Sequence, residues 1–169
     1  MKKSHSAFTM VELVFVIVIL GILSAIAIPK FAATRDDAEV AKIRSDVATI
    51  RSAIISERQS RLIRGESEYI TSLDQGVAVN VDNVELFDHN GTVTCRLLTY
   101  PIITGLRAGG GPKSGKWLKT ANNQYSVNAG GTVVVFTYYP VDTTVDGVFH
   151  PEGTFDCDHT VNSCIFLLR

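Results

Sequence analysis

From Leu13 to Ile28 the chain reads LVFVIVILGILSAIAI without a single charge. Extending the run back to Phe8 brings it to about the twenty residues a helix needs to cross a bilayer. After Phe31 the pattern changes. Val40, Ile43, Val47, Ile50 and Ile54 recur at alternating three- and four-residue steps, the stripe of an amphipathic helix. The other faces carry Arg35, Asp36, Asp37, Glu39, Lys42, Arg44 and Arg51. Together these predict one continuous helix from about Phe8 to Leu62, apolar all round at first and one-sided later, with Gly65 as its stop.

Beyond Ser67 the periodicity shortens. Apolar runs at Gly76–Val81 and Val84–Phe87 are separated by Asn and Asp, and His89-Asn90-Gly91 marks a turn before a strand-like Thr92–Leu98. A glycine-rich loop spans Gly105–Gly115. Lys116–Thr120, Gln124–Asn128 and Thr132–Tyr139 then read as strands, joined by turns at Asn122-Asn123 and Gly130-Gly131. A long helix followed by an antiparallel meander predicts an α+β fold, with the amphipathic half of the helix packed on the sheet. Its 169 residues suffice for one globular domain after an N-terminal appendage is set aside.

Charge and cysteines narrow the setting. The formal net charge is −1, a balance that argues against wholesale nucleic-acid binding. Cys157 and Cys164, flanked by Asp156, Asp158 and Asn162, suit a short loop closed by a disulfide in an oxidising compartment. Cys95 is left over and reads as a small buried residue on a strand, with pairings through it open.

The N-terminus carries the most chemistry. Lys2, Lys3 and His5 precede the apolar run, as in a secretory signal, but the small residue Ala7 lies before that run and no small-x-small site follows Ile28. A cut at Ala7 leaves the apolar helix on the mature chain. Glu12 sits inside the apolar segment, where a lone carboxylate costs at least ~2.5 kcal/mol at bilayer depth. After cleavage between Ala7 and Phe8, the new amino group at Phe8 lies one helical turn from Glu12, so the two charges can neutralise each other between neighbouring subunits.

The segment KKSHSA-FTMVELVFVIVILGILSAIAIPKF resembles the class III signal of type IV prepilins and of the pseudopilins of type II secretion. The resemblance covers roughly the first thirty residues. It implies a prepilin peptidase that cuts before Phe8 and methylates its amino group, an assembly role for Glu12 as the fifth mature residue, and the family's helix glycine and proline at Gly21 and Pro29. Ala7 stands where the family usually has Gly. Pro29 removes a backbone donor and Gly21 weakens the helix two turns earlier, which suits a helix that leaves the bilayer and packs into a filament. The implied division is a leader at 1–7, a transmembrane and assembly helix at 8–30, and a pilin-like globular domain at 31–169. The implied partners are the peptidase, other copies of the chain and related pilin-like subunits, the inner-membrane assembly platform and the membrane itself, with the globular domain in the periplasm or on an extracellular filament.

Other motifs carry less. GGPKSGK at Gly110–Lys116 matches a phosphate-binding loop up to its lysine and then offers Trp117 where Ser or Thr would bind magnesium. Arg107, Lys113, Lys116 and Lys119 flank Trp117, the composition of a basic patch with an aromatic platform. Asp156, Asp158, Thr160 and Asn162 alternate like calcium-loop donors, without the turn glycine or the distant bidentate Glu. Major pseudopilins commonly bind calcium near the C-terminus, so the resemblance adds Asp156 and Asp158 as calcium candidates. No other cofactor is implied. His89, His150 and His159 lie apart in sequence, and neither a zinc spacing nor a nucleophile–base pair is present, which excludes an enzymatic reading at this level.

Overall fold

The computed structural model describes residues 8–74, 76–88 and 97–168, except for the side chains at 29 and 31–33. The chain forms two compact units, residues 1–37 and 38–169, and helix α1 (Met10–Ile63) belongs to both. In the first unit the stretch Met10–Ile28, 19 residues long, is apolar enough to cross a membrane and none of it is buried. At about 1.5 Å per residue it reaches roughly 28 Å, close to the thickness of a bilayer's hydrocarbon layer.

In the second unit α1 becomes one-sided. Ile43, Val47, Ile50 and Ile54 are buried, and Val40 packs against the same core. The helix stops where Gly65 takes a positive φ of 85°. Gly65 N–H donates to Leu62 O at 3.0 Å and Glu66 N–H to Arg61 O at 3.0 Å, the paired bonds that satisfy the last carbonyls of a helix ending in a left-handed residue.

The segment after the helix forms a two-stranded ribbon, β1 (Glu85–Leu86) with β2 (Ile102–Ile103), and irregular backbone elsewhere. Asn and Asp interrupt the apolar runs from 76 to 88, and among the described residues of this segment no strand extends beyond two residues. The predicted strand at Thr92–Leu98 and Cys95 fall largely in 89–96, outside the described residues.

The main sheet contains β3 (Trp117–Ala121), β4 (Gln124–Ala129), β5 (Thr132–Tyr139) and β8 (Thr154–Cys157), antiparallel and in the order β3-β4-β5-β8. The predicted turns at Asn122-Asn123 and Gly130-Gly131 connect β3 to β4 and β4 to β5. Between β5 and β8 a hairpin is inserted, β6 (Thr143–Val145) and β7 (Val148–His150), turned by Asp146 and Gly147 with φ of 50° and 80°. That Asp-Gly pair between apolar residues is a two-residue hairpin signal. A short helix, α2 (Asn162–Leu168), closes the chain.

One sheet face meets α1. Trp117, Tyr125, Val127, Val134, Phe136, Tyr138 and Phe155 are buried and share a core with the α1 stripe. Their rings form a tilted and edge-on cluster, with Phe136 stacked on Phe155 at 5.3 Å between centroids and Phe87 edge-on to Trp117 at 5.6 Å. The result is the α+β arrangement of pilins, a helix laid along an antiparallel sheet.

Candidate functional site

The N-terminal segment has its own local geometry. Thr9 precedes the first helical residue, and its hydroxyl accepts from Glu12 N–H at 3.2 Å. Glu12 Oε2 in turn accepts from Thr9 N–H and from the Thr9 hydroxyl, each at 3.2 Å. This is a capping box, in which a Thr and a Glu three residues later satisfy backbone donors that the helix start leaves unpaired. The signal was readable as Thr-Met-Val-Glu. It gives Glu12 a role within its own chain in addition to any charge it offers outside. Phe8 is exposed beside this box, whereas Ala7 lies outside the described residues. Among the described residues, apart from its chain neighbours and the helix's own backbone, no atom lies within 4 Å of the position a Cβ on Gly21 would occupy. Helix α1 runs on through position 29.

In the globular unit three arginines spaced by seven, Arg44, Arg51 and Arg58, tie α1 to the C-terminal part of the chain. Arg44 Nη2 donates to Phe166 O at 2.6 Å and its guanidinium lies 4.7 Å from the Phe166 ring. Arg51 Nε donates to Phe155 O and Nη2 to Asp156 Oδ1, both at 2.9 Å, which occupies the outer edge of β8. Arg58 lies 3.9 Å from Glu152, donates to Ser67 O and stacks 4.5 Å from the Tyr69 ring. Tyr69 lies so close to Gly153 that a Cβ there would stand 2.1 Å from the ring.

Cys157 and Cys164 form a disulfide joining β8 to α2. Asp156, His159 and Cys164 bring potential ligand atoms within 4.8 Å of one another, but the Cys164 sulfur is consumed by the disulfide and offers no thiolate. Asp156 Oδ1 accepts from Arg51 and from Cys157 N–H, and its Oδ2 lies 3.1 Å from His159 Nε2. Asp158 Oδ1 accepts from Thr160 N–H at 2.8 Å. The Thr160 hydroxyl, followed by that amide, holds the Asp158 carboxyl below its ordinary pKa. Arg51, the Cys157 amide and His159 therefore compete with any cation for the Asp156 carboxylate.

The basic residues around Trp117 do not build a platform. Trp117 is fully buried and its indole N–H donates to Asp46 Oδ2 at 3.0 Å. Lys119 points into the core, where its Nζ meets Asp74 Oδ1 at 2.8 Å. Asp74 is fully enclosed. It also accepts from Gly76 N–H, Val77 N–H and the Tyr125 hydroxyl, so the buried charge pair is hydrogen-bonded on both carboxylate oxygens. Burial, then the negative charge of Asp74, pushes the Tyr125 pKa up. Separations of 45 and 51 residues leave no local sequence signal for this triad. The glycine loop is braced rather than open: Lys113 N–H donates to Gly105 O at 2.7 Å and Arg107 N–H to Gly111 O at 3.0 Å. It leads into β3 and not into a helix, so the GGPKSGK motif lacks the helix N-terminus that would hold phosphate.

Comparison with known proteins bears on the N-terminus. Residues 2–28 match the family model described as the prokaryotic N-terminal methylation motif. The chain carries a prepilin-type N-terminus. It is 50 % identical over 46 residues to the type IV narrow pilus major component of Thermus thermophilus, covering 27 % of this chain and 40 % of that protein. It is 36 % identical over 53 residues to the type II secretion system core protein G of Klebsiella michiganensis, covering 31 % and 37 %. To the type IV major fimbrial protein of Dichelobacter nodosus it is 39 % identical over 54 residues, covering 32 % and 35 %. The chain thus spans at most about two fifths of the length of these relatives. No solved structure is significantly similar to it. Type IV pilins and a type II secretion core protein are both found among its relatives, and the similarity lies in the prepilin-type segment and the helix that follows it.

Proposed function

We propose that the chain is a structural subunit of a type IV filament, inserted as a single-pass precursor in the inner membrane with its globular unit in the periplasm. Prepilin peptidase cuts it between Ala7 and Phe8 and methylates the Phe8 amino group. The mature chains, with related pilin-like subunits, then polymerise through α1 on an inner-membrane platform. The carrying observation is the unburied stretch Met10–Ile28 with Glu12 as its sole acid. An apolar helix without a partner among the described residues takes its partners from lipid or from other helices, and a carboxylate kept within it calls for a compensating charge.

Among filament types we favour a type II secretion pseudopilus, on the modest chain length and the short disulfide loop. A pilus is the alternative, in adhesion, motility or DNA uptake. Loss of protein secretion with no long surface fibre supports the first; a long surface fibre assigns the second.

The test is intact mass and N-terminal sequencing of the chain coexpressed with prepilin peptidase, beside Glu12 variants scored for filaments. A mature chain starting at Phe8 is expected. Glu12→Gln keeps an oxygen able to accept the Thr9 N–H but removes the charge, so lost assembly in this variant assigns the requirement to charge. Full assembly of Glu12→Gln would leave only the capping role, and an uncut chain starting at Met1 would reduce residues 8–28 to a membrane anchor.

A further inference from the structure

The strand registers place two unlike features at opposite ends of the main sheet. Ser114, in the glycine loop, bridges Asn128 beside the start of β5, where Asn128 pairs with Val133. The β6–β7 hairpin leaves from the other end, where Tyr139 pairs with Thr154. The eight residues of β5 lie between them, roughly 23 Å at strand spacing.

The two ends differ in charge. From Gly105 to Lys116 the loop carries Arg107, Lys113 and Lys116 and no carboxylate. Lys113 is held by Asp82 at 2.9 Å, and the nearby Glu39 and Asp46 are engaged by the Ser114 hydroxyl and the Trp117 indole. Arg107 and Lys116 are exposed and make no ion pair among the described residues. At the hairpin end, from Val141 to Glu152, the chain has no Lys or Arg, while Asp142, Asp146 and Glu152 are exposed. Glu152 faces Arg58 at 3.9 Å and Asp142 accepts the Glu152 N–H. That leaves Asp146 at the hairpin tip without an ion-pair partner among the described residues. Val148 and Phe149 on the hairpin and Val141 at its base are 57–62 % exposed, apolar positions on a polar rim of the kind that marks an interaction surface.

We propose that the β6–β7 hairpin of one subunit docks on the Arg107–Lys116 loop of a second copy of this chain, head to tail along the strand direction. The contact rests on the filament reading above. Because the patches are different and lie at opposite ends of one sheet, each copy that offers its hairpin still presents a free loop. Such a heterologous contact propagates as an open polymer wherever its rotation does not close a ring. The acidic tip meeting the cationic loop sets the register, and the hairpin's apolar residues supply the buried area.

The test uses the full chain, carrying Cys95→Ser and coexpressed with prepilin peptidase, with Asp146→Cys and Lys116→Cys introduced singly and together. Oxidation of sheared filaments should give a ladder of linked subunits from the double variant and none from either single. Dimers from Asp146→Cys alone would overturn the proposal in favour of a hairpin-to-hairpin contact, as would filaments of the double variant that stay unlinked. Charge reversal gives an independent readout. Asp146→Lys and Lys116→Glu should each lower sedimentable filament about tenfold, and their combination should restore it. Normal assembly of both single reversals would also overturn the contact. If the unsubstituted chain is processed but forms no filament, the filament reading itself fails, a result distinct from any of these.

Discussion

The two halves of helix α1 use the same aliphatic residues, yet residues 10–28 bury none of them while Ile43, Val47, Ile50 and Ile54 are all enclosed. What differs is the spacing. In the second half apolar residues occupy one face and charges the rest, so a sheet can cover that face completely. In the first half they surround the axis, and no single layer of the chain's own structure covers a helix that is apolar on every side. Aliphatic content therefore says little about where a residue ends up. Its period decides whether the partner is intramolecular or must be supplied by a membrane or by other subunits.

The sharpest break in the comparison lies in the charges. Glu12 stands exposed at a helix start, whereas Asp74 is enclosed and answered by Lys119. Removing Lys119 as Lys119→Met strands a buried carboxylate, and about 3–5 kcal/mol of stability should be lost. Thermal unfolding of the detergent-solubilised chain measures this, and a loss under 1 kcal/mol would mean that the pair is solvated. Next in size, Ile50→Ala should cost about 2–5 kcal/mol through the cavity it leaves. Leu20→Ala, in the other half, should leave the same unfolding transition in place, and equal losses at both positions would erase the distinction drawn here.

A smaller effect comes from the support of the helix end. Gly153→Ala asks for a left-handed φ of 78° and drives a methyl into the Tyr69 ring; about 1–3 kcal/mol is expected. Unchanged melting would show that Tyr69 swings away freely.

The least effect is local and pH-dependent. The Leu106 amide, then Lys113, hold the Asp82 carboxyl below its ordinary value of 3.8. A carboxyl with a lowered folded pKa contributes above the unfolded value and loses its contribution as pH falls through the folded one. Leu106 amide protection should persist at pH 3.8 and fade only below it, in hydrogen exchange followed by NMR. Asp82→Asn should abolish that pH dependence, and an identical profile in the variant would remove Asp82 as its cause.

Much of this fold was legible in the chain because its signals are local. The apolar run, the three-and-four stripe, the glycine stop and the turns at Asn122-Asn123 and Gly130-Gly131 each lie within a few residues, and the three strands they delimit match the main sheet closely. Strand β8 and helix α2 gave weaker patterns, being 4 and 7 residues long. The capping box is equally local, a Thr followed three residues later by a Glu at Thr9 and Glu12.

By itself the sequence determined the prepilin-type segment, the long two-character helix and the meander, because period, charge and turn chemistry act between near neighbours. Tertiary structure alone decided that Trp117 and Lys119 belong to the core, that Asp74 answers Lys119 across 45 residues, and that three arginines reach the C-terminal strand, helix and turn. It also set the cationic loop and the acidic hairpin at opposite ends of one sheet. Those outcomes depend on which strands pair and which faces meet, and distant segments acquire that relation only when the core closes.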